Sequence, residues 1–122
     1  MAKKEVITDL WVHELLKEAG IRDKFDAQGS SIKEIDDALK TASKKGTGKS
    51  GFPEYVGVVK DFLIIIEDKP GLSKHINYTD NDLIADDVKS NTDYAVNGAV
   101  FYARHLASQV SYKKIIALGI SG

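Results

Sequence analysis

Three charged residues flank two apolar runs in the middle of the chain, and their spacing points to metal chemistry. The runs 54–59 and 62–67 are rich in Val and Ile and are separated by two residues, which is the pattern of a β-hairpin. With a two-residue turn, Glu54 lies directly opposite Glu67 across the two strands. Strand alternation places Lys69 on the same face as Glu67, about 6.6 Å further along. The predicted hairpin therefore presents two carboxylates and one ammonium group together.

This arrangement suits a hard divalent cation. Directly opposed like charges destabilise a sheet by up to about 1 kcal/mol, so we expect a compensating group. Mg²⁺, or Mn²⁺ in its place, accepts one or two carboxylates, keeps several waters, and can activate a water or stabilise charge on a phosphoryl group. Lys69 would position that water or neutralise the transition state. The alternative is that Glu54, Glu67 and Lys69 are simply the solvated ends of strands.

A basic loop precedes the hairpin. Residues 40–51 contain four lysines, three glycines and no acidic residue. This composition predicts that Lys44, Lys45 and Lys49 contact the phosphates of a DNA backbone, and a flexible solvated loop is the alternative. Residues 43–50 resemble an ATP-binding P-loop, but a P-loop follows a strand and opens a helix. Here a helix is predicted before the loop, so we expect no ATP binding.

The elements around the hairpin follow from apolar periodicity and from the positions of glycines. Ser31 and Glu34 match a capping box at the start of a helix. Residues 72–91 are predicted to be an irregular connection with room for a short turn of helix, and the hairpin register pairs Val59 with Phe62. The other predicted elements are helices over 8–19, from Ser31 to about Lys44 and from Asp93 for four turns, and a buried strand over 113–120. The fold class is therefore α/β, with a central mixed sheet led by the hairpin 54–67 and flanked by helices.

Composition narrows the class of protein. The chain has 122 residues, a formal net charge of −1 and no cysteine. This length suits a single domain, and the lack of cysteine excludes disulfides, thiolate nucleophiles and Cys-ligated zinc. No signal peptide or membrane-spanning run is evident, so we expect a cytoplasmic protein with no membrane partner. Because the sequence ends just after a predicted core strand, we expect 1–122 to be the N-terminal fragment of a longer protein.

The segment 51–69, GFPEYVGVVKDFLIIIEDK, resembles the core of the PD-(D/E)xK nuclease superfamily. The family pattern has Pro-Asp or Pro-Glu opening one strand and Glu-x-Lys closing the next. The basic loop and the later run YAVNGAVFYARHL, residues 94–106, resemble the N-terminal domain of N6-adenine DNA methylase subunits and of type I restriction enzyme subunits. The resemblance implies a restriction-endonuclease-like core.

The resemblance also implies roles for individual residues. Glu54 and Glu67 would bind the metal ion, and Lys69 would assist the attacking water. A helix before the hairpin would add a further catalytic carboxylate, for which Glu34 is the first choice and Asp37 the alternative.

Relatives also place a Gln and a Tyr on the helix after Glu-x-Lys. This chain has no Gln there and offers Tyr94, Asn97 and Tyr102 instead.

The resulting hypothesis is a Mg²⁺-dependent DNA endonuclease domain of a restriction-modification enzyme, which hydrolyses phosphodiester bonds. Its partners would be DNA and a fused or associated adenine DNA methyltransferase domain. The alternative is a noncatalytic DNA-binding or assembly module at the N-terminus of an adenine-specific DNA methyltransferase. The two hypotheses differ in whether the carboxylates of Glu54 and Glu67 converge with Lys69 in one cleft.

Overall fold

A computed structural model describes residues 3–122 of the chain, with side chains from Ile7 onward. Within these residues, helices and strands alternate along most of the sequence. They are α1 (Lys3–Glu18), β1 (Phe25–Ala27), α2 (Lys33–Leu39), β2 (Tyr55–Val59), β3 (Phe62–Lys69), α3 (Val88–Asp93), α4 (Ala95–Ala107) and β4 (Lys114–Ser121), with short 3₁₀ turns at Arg22–Lys24 and Leu72–Lys74.

The strands form one sheet in the order β1-β2-β3-β4. The first two pairings are antiparallel, and β3 pairs with β4 in parallel. A parallel pair needs a crossover connection, which α3 and α4 supply here. The prediction of an α/β fold with a mixed sheet between helices is confirmed.

The hairpin has the predicted register. Val59 pairs with Phe62, and the ladder runs without a bulge to Tyr55 and Ile66. Lys60 adopts the left-handed backbone conformation, with φ of 58°, which lets two residues close the turn even though neither is glycine. One step beyond the ladder, this register brings Glu54 beside Glu67.

Each face of the sheet carries its own apolar cluster because strand side chains alternate between faces. On the first face, β2 and β3 contribute side chains that pack against α2 and α4; buried there are Ile35, Ala38, Leu39, Ala42, Val56, Leu63, Ile65, Tyr102 and Leu106. On the second face α1 covers the same strands, and the buried residues are Val12, Leu16, Phe25, Tyr55 and Ile66. At the end of β3, Glu67 therefore belongs to the first face and Asp68 to the second.

The two N-terminal helices differ in extent from their predictions. Helix α1 begins at Lys3 rather than Thr8, and it ends at Glu18, before Gly20 with φ of 75°. Helix α2 ends at Leu39 rather than near Lys44.

The predicted capping box is wrong. The residue that caps α2 is Ile32, with no side-chain hydrogen bond. Ser31 instead donates its backbone N–H and its hydroxyl to the Asp26 carboxylate, at 2.8 and 2.9 Å. Ser31 therefore bonds to the Asp26 side chain in β1 and does not cap the helix, contrary to the prediction from the sequence pattern.

The connection between β3 and α4 is mostly irregular, as predicted, and contains a 3₁₀ turn and the short helix α3. The strand predicted over 113–120 is β4, but it lies at the edge of the sheet and none of its residues is buried, so its predicted burial is wrong. The three-residue strand β1 is an element that the sequence did not indicate. No helix in the described residues is long and apolar enough to cross a membrane.

Candidate functional site

Three carboxylates meet at the end of the sheet where β2 begins and β3 finishes. Asp9, Glu54 and Asp68 each place one oxygen within 4.8 Å of an oxygen of the other two. We call this group the carboxylate cluster. Oxygen ligands at such separations are those that Mg²⁺ and Ca²⁺ prefer.

Two members reach the cluster for a reason visible in the sequence, whereas Glu54 departs from strand alternation, which would turn it to the face of Val56 and Glu67. Asp9 precedes Val12 by three residues and Leu16 by seven, so it lies on the face of α1 that packs on the sheet. Asp68 follows Ile66 by two residues and shares its face of β3. Glu54 immediately precedes β2.

The electrostatics of the cluster are dominated by the burial of Asp68, whose side chain belongs to a residue only 4% exposed. Burial raises the pKa of Asp68 from its ordinary value near 3.8 to about 8, and a hydrogen bond with Asp9 and repulsion from Glu54 add to the effect. The environment of Asp68 therefore favours its neutral form.

The cluster also leaves hydrogen-bonding capacity unused. Within the described part of the chain, Oδ1 of Asp9 and Oδ2 of Asp68 are buried and have no hydrogen-bond partner. Glu54 accepts a hydrogen bond from Nε2 of Gln28 at 3.1 Å. A buried carboxylate oxygen without a partner is costly, and that cost is relieved either by a proton shared between Asp68 and Asp9 or by a bound cation.

Glu67 is held apart from the carboxylate cluster by a lysine. One of its oxygens forms an ion pair with Nζ of Lys44, and the other accepts the backbone N–H of Glu54 at 2.9 Å. Glu67 is 3% exposed, and the Lys44 side chain is 16% exposed. Glu54 and Glu67 are therefore adjacent as predicted, but through a backbone N–H rather than through converging carboxylates.

Lys44 is enclosed by further contacts. Its ammonium group lies 5.0 Å from the centre of the Tyr102 ring, a cation–π contact. A Cβ atom at position 98 would lie 3.0 Å from Nζ of Lys44 and 3.2 Å from Oε1 of Glu67, so Gly98 leaves the space that the pair occupies. Lys44, predicted to contact DNA, is thus turned inward and ties the basic loop to β3.

The other two predicted catalytic residues, Lys69 and Glu34, and the alternative Asp37 lie elsewhere. Lys69 makes no hydrogen bond or ion pair through its side chain with the described residues, and it borders an open pocket of 300 Å³ with Pro70, Lys74 and Asp93. Glu34 accepts hydrogen bonds from the backbone and hydroxyl groups of Ser111, just before β4.

The position of Ser111 places Glu34 at the other end of the sheet. Residue 114 pairs with Phe62, five residues before Glu67 on β3, so about 16 Å separates the two ends. Asp37, the alternative, pairs with Lys33 and Lys40 on the exposed side of α2. Neither Glu34 nor Asp37 lies beside Glu54. The helix residue whose carboxylate does lie beside Glu54 is Asp9 of α1.

A basic cleft opens beside this end of the sheet. It has a volume of 790 Å³ and is lined by residues of the loop 40–51 together with Phe52. Lys45 and Lys49, predicted to contact DNA, both line it. The cleft and the carboxylate cluster are linked through Lys44, Glu67 and the backbone of Glu54.

The α4 residues that the sequence resemblance singled out, Tyr102 and Asn97, divide into two roles. Tyr102 is buried, and its hydroxyl accepts the backbone N–H of Phe52 at 3.1 Å. Burial, with the nearby charge of Glu67, raises the pKa of Tyr102 above its ordinary value. Asn97 is also buried, but it bonds to the backbone of Asn77 and Ala85 and so braces the irregular connection.

Comparison with known proteins adds one relative. The chain is 41% identical over 125 aligned residues to the type II restriction enzyme and methyltransferase RM.BcgI from Heyndrickxia coagulans. That relative is a restriction enzyme. The alignment covers 100% of this chain but 19% of RM.BcgI, so the chain spans about a fifth of the relative's length. No family model and no solved structure matches the chain.

Two residues of the carboxylate cluster were absent from the sequence-based prediction. Asp9 could have been noticed as a charged residue in line with the apolar face of α1. Asp68 lies between two residues of the Glu-x-Lys pattern and was passed over because alternation turns it to the opposite face. Its partner on that face, α1, is distant in sequence, so no local pattern connects the two.

Proposed function

We propose that this chain is a Mg²⁺-dependent nuclease domain of a restriction-modification enzyme and hydrolyses phosphodiester bonds in DNA. The observation that supports it best is the carboxylate cluster of Asp9, Glu54 and Asp68 next to a basic cleft. The similarity to RM.BcgI supports the restriction-modification context. A fused or associated adenine DNA methyltransferase is part of the same proposal.

The residues present fit a divalent cation. Two of the three carboxylates have a buried oxygen with no partner in the described residues, and the donor set is all oxygen. A bound Mg²⁺ would polarise a phosphoryl oxygen and lower the pKa of a water molecule. We propose Asp9, Glu54 and Asp68 as the residues that hold it.

The chain's own groups would then act in three ways. Asp68 must lose its proton when the cation binds, because its pKa of about 8 keeps it neutral beforehand. Glu67, fixed by Lys44, holds the backbone at Glu54 in place. Lys45 and Lys49 would attract and position the DNA backbone in the basic cleft.

Glu67 and Lys69 remain candidates for direct roles. In the sequence-based hypothesis Glu67 is a metal ligand, which would require its carboxylate to exchange Lys44 for the cation. No hydrogen bond or ion pair within the described residues holds the Lys69 side chain away from the site, so it is able to reorient. A test of the ligand set must therefore separate Glu67 from Asp68.

The experiment is a calorimetric titration of Mg²⁺, and then Mn²⁺, into the folded wild-type chain and into single amide variants. We expect wild type to bind and Glu54→Gln and Asp68→Asn to lose binding, because each removes a charged ligand oxygen. Asp93→Asn is the matched control, since Asp93 is paired with Lys89 outside the carboxylate cluster. Glu67→Gln should retain binding; if it also abolishes binding, Glu67 belongs to the ligand set.

The noncatalytic module is the second candidate, and one observation favours it. Glu67 is already neutralised by Lys44, so this part of the nuclease motif also has a purely structural explanation. If the folded wild-type chain binds neither ion, the nuclease proposal is wrong and the noncatalytic module replaces it. If it binds, plasmid cleavage by the full-length protein should be lost in Glu54→Gln.

A further inference from the structure

Phe52 combines a rigidly held backbone with a side chain directed into solvent. The phenyl group belongs to a residue that is 60% exposed, whereas the neighbouring Gly51 and Pro53 are buried. Single exposed apolar side chains are common on protein surfaces. Phe52 differs because the three-residue segment 51–53 is fixed at each residue.

The anchors come from three parts of the fold. The N–H of Gly51 donates to the carbonyl of Leu39 at 2.8 Å, and that of Phe52 donates to the Tyr102 hydroxyl at 3.1 Å. The carbonyl of Pro53 accepts the N–H of Gln28 at 3.0 Å.

Glycine is required at position 51 by close packing. A Cβ atom there would lie 2.3 Å from the carbonyl oxygen of Ala42 and 2.7 Å from the Tyr102 ring. The backbone thus passes tightly between the loop and α4, and this leaves the phenyl group pointing outward.

The surroundings of the ring identify the kind of ligand it would meet. Phe52 lines the basic cleft on one side and, on the other, a small pocket that includes Gln28, whose amide bonds to Glu54. An exposed ring next to Lys45 and Lys49 offers a flat apolar surface beside several positive charges. A nucleic acid strand has the complementary features, with phosphates for the lysines and a flat base for the ring.

We propose that Phe52 is a positioning residue that stacks on an unpaired or unstacked DNA base while the phosphates of the same strand lie in the basic cleft. Because Phe52 precedes Glu54 by two residues, its Cα lies within about 7 Å of the Cα of Glu54. The stacked base would fix the strand next to the carboxylate cluster. The inference rests on the proposed function in taking DNA as the ligand.

The experiment measures binding of a single-stranded oligonucleotide containing 2-aminopurine, in EDTA, so that no metal contributes. Removing one base–aromatic stack should weaken binding about 5- to 150-fold and restore the fluorescence that stacking quenches. We expect this for Phe52→Leu, which keeps an apolar side chain, while Phe52→Trp should bind as wild type does. Tyr78→Leu is the matched control, because Tyr78 is 55% exposed and does not line the cleft.

A fully paired duplex of the same sequence serves as the second ligand. If Phe52 stacks on an unpaired base, Phe52→Leu should lose less affinity for the duplex than for the single strand. The inference is overturned if Phe52→Leu binds the single strand as wild type does, if Tyr78→Leu loses as much, or if both ligands lose equally.

The outcomes also separate this inference from the nuclease proposal. Phe52-dependent binding in a chain that does not bind Mg²⁺ would reject the metal centre alone. Mg²⁺ binding without any effect of Phe52 on DNA would reject the stacking residue alone.

Discussion

Asp68 owes its chemistry to its position rather than to its residue type. An exposed aspartate is ionised at neutral pH, but burial against α1 and the proximity of Asp9 and Glu54 favour its neutral form. Perturbed carboxyl groups of this kind concentrate at functional sites because acid–base and metal chemistry require pKa values matched to the task. The protonation of Asp68 should therefore affect both the stability of the fold and the binding of a cation.

The stability of the chain should depend on pH through Asp68. Between its ordinary pKa near 3.8 and its folded pKa of about 8, the folded chain binds a proton that the unfolded chain does not. The contribution of Asp68 to stability is therefore complete below about pH 4 and is lost as the pH rises through 8. We expect Asp68→Asn to be closest to wild type near pH 4 and to exceed it increasingly up to about pH 8 in urea unfolding, with a larger excess at pH 9 than at pH 5.

Asp93→Asn is the comparison for that measurement. Hydrogen bonding to Lys89 lowers the pKa of Asp93, so its contribution is lost only as the pH falls into the acid range. Its difference from wild type should be the same at pH 5 and pH 9. An equal pH dependence in wild type and Asp68→Asn would show that Asp68 is ionised in the folded chain.

The basic loop and β3 are joined by an ion pair that is largely shielded from water. Sequence composition described the loop as positively charged and solvated, and this holds for Lys45 and Lys49, which line the open cleft. Lys44 differs because Glu67 and the Tyr102 ring enclose its ammonium group. The loop is therefore attached to the strand that ends at the candidate site.

Breaking that ion pair should destabilise the fold strongly. Lys44→Met leaves the Glu67 carboxylate buried without its cation, and we expect the free energy of unfolding to fall by about 3 kcal/mol. The double variant Lys44→Met/Glu67→Gln should regain most of the loss, because neither charge then remains and the Gln carbonyl still accepts the N–H of Glu54. Chemical denaturation checks both variants.

Lys33→Met provides the matched control, since the Lys33–Asp37 pair is exposed on α2. It should leave the free energy of unfolding nearly unchanged. If Lys44→Met behaves like Lys33→Met, water replaces the lost ammonium and the pair is not a structural link.

Local patterns predicted the elements well where the relevant interactions are local. The hairpin register follows from two strands joined by two residues, and the structure has the same pairs from Val59–Phe62 onward. The capping box failed because Asp26, in a strand too short to be recognised, binds Ser31. Asp9 was not predicted because its contact with Asp68 depends on how α1 packs on the sheet.

At the scale of the whole molecule, positive charge is a local property. The net charge of −1 provides no general attraction to DNA, so any affinity must arise at the basic cleft. Binding that depends on a few lysines is salt-dependent in proportion to the phosphates they neutralise.

We therefore expect Lys45→Gln and Lys49→Gln each to weaken duplex binding and to reduce the slope of log affinity against log salt by about 0.9. Fluorescence anisotropy at several salt concentrations measures the slope. Lys17→Gln removes an exposed lysine on α1 and should leave it unchanged. If Lys17→Gln reduces the slope by as much, DNA does not bind preferentially at the basic cleft.

Some paired strands of the sheet are close in sequence and others are far apart, and this difference affects the order in which the pairs form during folding. Closing the two-residue turn between β2 and β3 restricts few residues, whereas pairing β3 with β4 requires the whole segment containing α3 and α4 to be ordered. Contacts between residues close in sequence form sooner than distant ones. The hairpin should thus appear early, bringing Glu54 beside Asp68 in the nascent chain, while the parallel strand docks late. Substitutions in the turn would then slow folding, and substitutions in β4 would mainly speed unfolding.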